Sequence, residues 1–413
     1  MNLTVAIMCK DEENNVFRTL DSIKDVVSTL VIYDTGSTDD TVDMIKNYCD
    51  VYNIRLFIKH GKFVDYGTSR NVLLKFCEEI ESIDYILLMD MNDELKNPEE
   101  FIKTQLIDTA YYLPMEWLEV NGNVLNYTSI RLIKNRSGWR YKRKIHEYLV
   151  NEDPRFTASS LDGNFKLYQD RKHDNEKTSK RYESDIKLLL ESYDEYKSDP
   201  ENGDTGNFCR DLNYLGVTYL CIANIYRNDK YEYQRLLNKS FQYFKERTIQ
   251  NSDFHEETFN ANLHCGIILE ELECHWDACS MFFFKAMELC PNRIEPMLNI
   301  ANHYIKEKLF SLAFMFLNHA CKLEIPKVNL SLLKYLWDYT RFKYYSVVLL
   351  HLGQTDENMF KAGKESIEYA MKQRKKYFED DCATDLELLK LYNELEETFP
   401  KVLSTNMVLT TIE

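Results

Sequence analysis

Residues 30–41 read Leu-Val-Ile-Tyr-Asp-Thr-Gly-Ser-Thr-Asp-Asp-Thr, an apolar run that stops at Asp34 and turns through Gly36 into hydroxyl and acidic side chains. The run has the length and composition of a buried strand. Ser37 and Thr38 are good helix caps, and Asp39 and Asp40 place negative charge in the first turn, where the helix dipole favours it. The stretch therefore predicts a strand, a sharp turn and a helix N-terminus. The same texture recurs on both sides. Leu3–Met8 (LTVAIM) precedes a helical pattern at Val16, Leu20, Ile23 and Val27. A strand around Ile54–Ile58 precedes a helix from about Thr68 to Ile80, and Tyr85–Met89 (YILLM) ends in Asp90. Strands alternating with crossover helices predict an α/β domain with a mainly parallel, Rossmann-like sheet. Ligands of such sheets bind outside the carboxyl ends of the strands, where Asp34 and Asp90 both fall.

Outward from this block the texture changes twice. From Ala110 to about Leu167, short apolar-aromatic runs separated by Asn121-Gly122 and Asn135–Gly138 predict antiparallel hairpins. After Lys172 the pattern is helical to about Glu397, and Pro200–Asn207 (PENGDTGN) is the expected domain edge. Gly266, Leu269, Ala278, Phe282 and Pro291 recur 35 residues later as Ala301, Tyr304, Ala313, Leu317 and Pro326. This resembles the tetratricopeptide repeat (TPR), in which small residues let paired helices approach and large ones fill the groove. Leu215-Gly216 looks like a more divergent first helix, with its partner over about Tyr231–Glu246. An irregular helical bundle is the plainer reading. The expected organisation is a catalytic domain over 1–175, a helical linker over 176–207, a TPR-like all-α domain over 208–400 and a tail over 401–413.

Composition limits what these domains do. Glycine is scarce, with 12 residues, whereas Tyr and Phe number 28 and 22, which suits a helix-rich, aromatic-packed chain. A net charge of −16 excludes general nucleic-acid binding and docking on an anionic membrane surface. The 11 cysteines are scattered without a CxxC pair, which fits neither a disulfide framework nor a zinc site and suits a reducing compartment. No signal peptide or membrane span is expected, so the sequence reads as soluble and cytoplasmic.

The chemistry-bearing residues cluster at the strand ends. A carboxylate after the second strand can accept hydrogen bonds from a base or ribose, Gly36 lets backbone approach closely, and the helix start favours an anion. The cluster Asp90, Asn92 and Asp93 offers hard oxygen ligands for Mg²⁺ or Mn²⁺, which would neutralise a diphosphate leaving group. Taken singly, the first is also read as a capped turn and the second as a solvated loop.

In order and together, four segments are similar to family-2 glycosyltransferases of the GT-A fold, in the branch with a C-terminal TPR domain. They are Lys10-Asp11-Glu12, then Tyr33–Thr41, then Phe63-Val64-Asp65-Tyr66 with Arg70-Asn71, then Leu88–Asp93. Lys144-Ile145-His146-Glu147, Arg171-Lys172-His173 with Lys177 and Arg181, and Cys290–Pro296 extend the likeness to about residue 325. The resemblance implies transfer of a sugar, with inversion, from a nucleoside diphosphate sugar, UDP-linked, to a protein, peptide or glycan acceptor. It implies a nucleotide-sugar pocket of Lys10, Glu12, Asp34, Thr35, Gly36, Asp65, Arg70 and Asp90. A cation, Mn²⁺ or Mg²⁺, would be held by Asp90, Asn92 and His173.

Two departures stand out: Asp11 replaces the usual Asn, and Asn92 replaces the usual second acid. The acceptor proton needs a base. Glu147 is the first candidate, oriented by His146, with Asp93 and Glu152 behind it. The basic run Arg140, Lys142, Arg143 and Lys144 is read as facing either the diphosphate or solvent. A homodimer built by the helical half is expected. The rivals are a TPR scaffold with a degenerate transferase domain, encouraged only by Asn92, and a nucleotidyltransferase, whose Gly-rich loop is missing after Met8.

Overall fold

The computed structural model describes residues 3–410 except 103–105, 119–123, 157, 162, 171–174, 252–253, 327–331, 355, 379 and 381; side chains of 102, 175–180 and 398–410 are also outside the description. The chain divides into two compact units, Met1–Asp194 and Glu195–Glu413.

The first unit opens with three strand-helix steps and a fourth strand: β1 (Leu3–Cys9), α1 (Val16–Ile23), β2 (Thr29–Asp34), α2 (Thr41–Tyr52), β3 (Arg55–His60), α3 (Tyr66–Glu78) and β4 (Tyr85–Asp90). It continues through β5 (Asp93–Lys96), α4 (Pro98–Ile102), β6 (Ala110–Leu118), β7 (Val124–Lys134), β8 (Arg140–Lys142), β9 (Tyr148–Val150), β10 (Ala158–Ser160), β11 (Lys166–Asp170) and the start of α5 (Asn175–Ser198). Strands run β3-β2-β1-β4-β7-β6-β11-β5, with β10 also on β6, while β8 and β9 form a separate pair. The β3-β2-β1-β4 half is parallel, and β7 joins it antiparallel. This is a GT-A-like mixed sheet, as expected.

Side-chain alternation gives the sheet two cores. Val5 and Ile7 of β1 face Leu20, Ile23, Ile45 and Tyr48 of α1 and α2. Ala6, between them, faces Leu73, Leu74 and Cys77 of α3. Parallel register aligns the functional ends: Cys9 pairs with Asp34, Asp34 with His60, and Met8 with Asp90.

Within this unit the structure differs from expectation in two places. The 110–167 region is no simple run of hairpins, because β6 also pairs in parallel with β10 and β11. The acidic cluster is no solvated loop either. Asp93 begins β5, which pairs antiparallel with β11 at Asp93–Gln169. The expected turn at Asn121-Gly122 lies outside the described residues.

The second unit is all-helical: α6 (Thr205–Ile225), α7 (Lys230–Thr248), α8 (His255–Glu271), α9 (Trp276–Leu289), α10 (Glu295–Lys306), α11 (Phe310–Ala320), a π-helical turn (Leu336–Thr340), α12 (Arg341–Leu352), α13 (Glu357–Arg374) and α14 (Ala383–Thr410). Helices α6/α7, α8/α9, α10/α11 and α12/α13 pack as successive pairs. The small positions do the work expected of them: a Cβ on Gly216 would meet the Phe244 ring at 2.7 Å, and one on Gly266 the Phe283 ring at 2.5 Å. Arg293 and Glu295 form a buried bidentate pair at 2.7–3.0 Å between α9 and α10. Helix α14 runs through position 401, where a tail is expected from sequence. Among the described residues, no helix is long and apolar enough to cross a membrane.

Candidate active site

The first strand end is built by two clasped turns. Asp11, at φ 52°, accepts from Thr38 N, and Asp39 accepts from Glu13 N and the Thr41 hydroxyl. The β1 and β2 turns thus hold one another. Asp34 lies 4% exposed at their base. Its Oδ1 accepts from Ser37 N at 2.9 Å, and His60 Nδ1 stands 3.0 Å from Oδ2. Burial pushes this carboxyl up, but the hydrogen bonds from Ser37 and His60 outweigh it and hold the group below its ordinary range. Gly36 adopts φ 107°, a left-handed turn suited to glycine. Thr35 gives both its N–H and its hydroxyl to the Cys9 carbonyl. Lys10 is exposed and Glu12 half-buried, its backbone N–H bonded to the Thr41 hydroxyl.

The second strand end is an ionic cluster. Arg70, in the second turn of α3, donates from Nη2 to Asp90 Oδ1 at 2.5 Å and from Nε to Glu147 Oε1 at 2.7 Å. Arg131 of β7 lies 3.5 Å from Asp90 Oδ2 and 3.9 Å from Asp93 Oδ2. Burial works against both guanidinium charges, yet Asp90 reverses the balance and holds both protonated. Side-chain exposures of 11% for Arg70, 13% for Arg131, 15% for Glu147 and 27% for Asp90 leave the cluster reachable from solvent.

Local packing explains why Glu147 reaches Arg70. Asn71 brackets Tyr141, donating to its carbonyl and accepting from its N–H, both at 2.8 Å. Tyr66 N donates to the Lys144 carbonyl at 2.9 Å. Gly67 makes room for the Arg143 carbonyl, which a Cβ there would meet at 2.2 Å. Arg143 and His146 both take positive φ, 75° and 50°. These strained positions turn the loop so that Glu147 points inward while His146 is exposed.

The other sequence candidates take supporting or peripheral places. Asp65 caps α3, accepting from Thr68 N and its hydroxyl. Asp93 has no exposed surface, and its oxygens take the Asp90 N–H at 2.8 Å and Gln169 Nε2 at 3.1 Å. It supports Asp90 from beneath, because strand pairing turns it inward. Burial and the neighbouring Asp90 charge push its carboxyl up, with Arg131 opposing. Glu152 is exposed and 3.6 Å from Lys142. Three residues of the basic run pair with local acids: Arg140 with Glu78 at 2.8 Å, Lys142 with Glu152, Lys144 with Glu191 at 3.5 Å.

His60, Arg131, Tyr141 and Gln169 join the site without being singled out from sequence. Arg131 carries a readable signal, a lone cation inside the apolar run Ile130-Arg131-Leu132-Ile133.

Residues 4–105 match the model for Glycosyl transferase family 2. This segment is a family 2 glycosyltransferase domain. The chain is also similar to the SPbeta prophage-derived glycosyltransferase SunS of Bacillus subtilis and to glycosyltransferase SunS of Bacillus phage SPbeta. Each is 28% identical over 167 residues, which is 40% of this chain. The match spans 37% of the length of these curated relatives. Among solved structures, S. aureus TarS 1–349 in complex with UDP-GlcNAc covers 75% of this chain and 88% of its own at 15% identity and TM-score 0.33. MamA from Desulfovibrio magneticus RS-1 covers 46% of this chain and 96% of its own at 17% identity and TM-score 0.29. Likeness at that level has no bearing on chemistry.

The residues expected to hold a cation in the family 2 domain do not fit one in this arrangement. Asp90 has a guanidinium against each oxygen, and the Asn92 carbonyl accepts from Gln169 Nε2 at 2.6 Å. His173 lies outside the described residues. Among the described residues, no group of three His, Cys, Asp or Glu side chains is placed to hold a metal ion.

Proposed function

We propose that the family 2 domain transfers a sugar, with inversion, from a nucleoside diphosphate sugar, UDP-linked, to a protein, peptide or glycan acceptor. The observation that carries this reading is the Arg70 guanidinium joining Asp90 to Glu147 on the carboxyl side of the sheet that also bears Asp34. Asp34 and the Gly36 turn bind the base and ribose. Arg70, held in place by Asp90, locates the diphosphate beside Glu147. Glu147 takes the acceptor proton as the acceptor atom bonds to the anomeric carbon. The bond from that carbon to the β-phosphate oxygen breaks, and its electron pair leaves with the diphosphate. Arg70, in place of the exposed His146, is what holds the Glu147 carboxylate. The helical unit, read as TPR pairs, docks the acceptor and forms a homodimer. The eleven free cysteines suit a reducing, cytoplasmic setting.

UDP release from a panel of UDP-sugars tests this reading. Release above the enzyme-free rate, lost on Glu147→Gln, supports it. Absence of binding to UDP and to every UDP-sugar would overturn it in favour of a TPR scaffold with an inactive domain, the reading Asn92 favours.

A further inference from the structure

The cluster at the end of β4 departs from what a cation needs in three separate ways. A dication is drawn to uncompensated carboxylates, but Asp90 and Glu147 are matched by Arg70 and Arg131. A cation approaching Asp90 meets the charge of a guanidinium held at 2.5 Å. Asn92 brings no charge, and its one acceptor oxygen already accepts from Gln169, which β11 supplies as the strand paired with β5. Asp93 is turned under the site and bonded to backbone and amide. A carboxylate cage is thus replaced by a pair of arginines.

Arginine suits the vacated task. Its planar fork binds phosphate oxygens bidentately, and the charge persists in partly buried settings. A guanidinium has five N–H groups, of which Arg70 spends one on Asp90 and one on Glu147. Arginine clamps and metal ions are interchangeable ways of meeting charge that develops on a leaving phosphate.

We propose that in this chain N–H groups of Arg70 and Arg131 beyond those bonded to Asp90 and Glu147 receive the leaving diphosphate, so that sugar transfer does not depend on a divalent cation. This rests on the nucleotide-sugar reading above. Transfer is the same exchange of bonds at the anomeric carbon. The leaving electron pair settles on a β-phosphate oxygen facing the two guanidiniums.

The test uses the full-length protein with UDP and UDP-sugars, in excess EDTA and in millimolar Mn²⁺. The expected result is UDP affinity and UDP release that agree within about threefold between the two buffers. Arg131→Gln lowers release in EDTA by about tenfold or more, and Arg131→Lys recovers part of it. Asn92→Asp introduces stimulation by Mn²⁺ that the native chain lacks. The comparison of buffers uses the native protein, so it stands even if the Arg131 variants misfold. Release abolished by EDTA and restored by Mn²⁺ overturns the proposal while leaving the nucleotide-sugar reading intact. Failure to bind UDP or any UDP-sugar in either buffer overturns both.

Discussion

Arg70 and Glu147, 77 positions apart in sequence, are joined by a 2.7 Å hydrogen bond from the Arg70 Nε to the Glu147 Oε1. The contact fixes the proposed base by a group that also grips Asp90, so base and diphosphate site share one anchor. Glu147→Gln keeps an acceptor oxygen for Arg70 but removes the proton acceptor. We expect turnover to fall by about 10²-fold or more while UDP affinity changes by less than about threefold. Single-turnover assays beside calorimetry separate the two. Parallel loss of both, or loss of neither, contradicts the assigned role.

The loop that carries Glu147 depends on Gly67. A methyl group there would sit 2.2 Å from the Arg143 carbonyl, and backbone has little room to yield. Gly67→Ala should cost about 1–3 kcal/mol and shift residues 143–147 away from α3. Gly216→Ala is the comparison, since its Cβ would meet the Phe244 ring at 2.7 Å in the helical unit. Both variants should unfold at lower denaturant. Only Gly67→Ala should depress UDP release in protein that remains folded.

What is legible in the sequence follows from the range of each interaction. The β2 turn and α2 are local, so caps and an apolar run suffice to place Asp34. Asp90 follows from the end of a buried strand. Glu147 and Arg70 are readable as motif positions, yet their bond is not, because it needs the packing of α3 against the 143–147 loop. Short, acidic β5 looks like a loop until β11, 70 to 76 positions away, pairs with it. His60 falls just past the apolar part of β3, and only parallel register sets it beside Asp34. Arg131 becomes a site residue only once β7 joins β4 antiparallel.

Asp34 should control nucleotide binding without reference to any cation. Its carboxyl is held ionised by Ser37 and His60, against the opposing effect of burial. Asp34→Ala removes the acceptor for a base or ribose donor, and we expect UDP affinity in EDTA to drop by about tenfold. His60→Ala should weaken UDP less, because it only orients that acceptor. The pH dependence follows from the sign of the shift. A carboxyl with a lowered folded pKa contributes stability above its ordinary value and loses it as pH falls through the folded value. Wild type and Asp34→Asn should therefore converge in stability only below about pH 4. An Asp34→Ala variant that binds UDP as wild type does contradicts the assignment.

Asp185 gives the opposite sign. It is 8% exposed on α5, and burial pushes its carboxyl up to about 6, with Arg181 opposing and the Glu147 charge adding to the rise. A carboxyl raised in the folded state binds more protons folded than unfolded between its ordinary value and about 6. Stability therefore falls as pH rises through that window and levels off above it. Asparagine mimics the protonated form and escapes this loss. Asp185→Asn should match wild type near pH 4 and exceed it by about 2 kcal/mol above pH 7, read from urea midpoints of the N-terminal unit. The gap should open as pH rises, not as it falls. A variant that is less stable at every pH would mean that Arg181 holds Asp185 as a stabilising ion pair, and that burial does not dominate its environment.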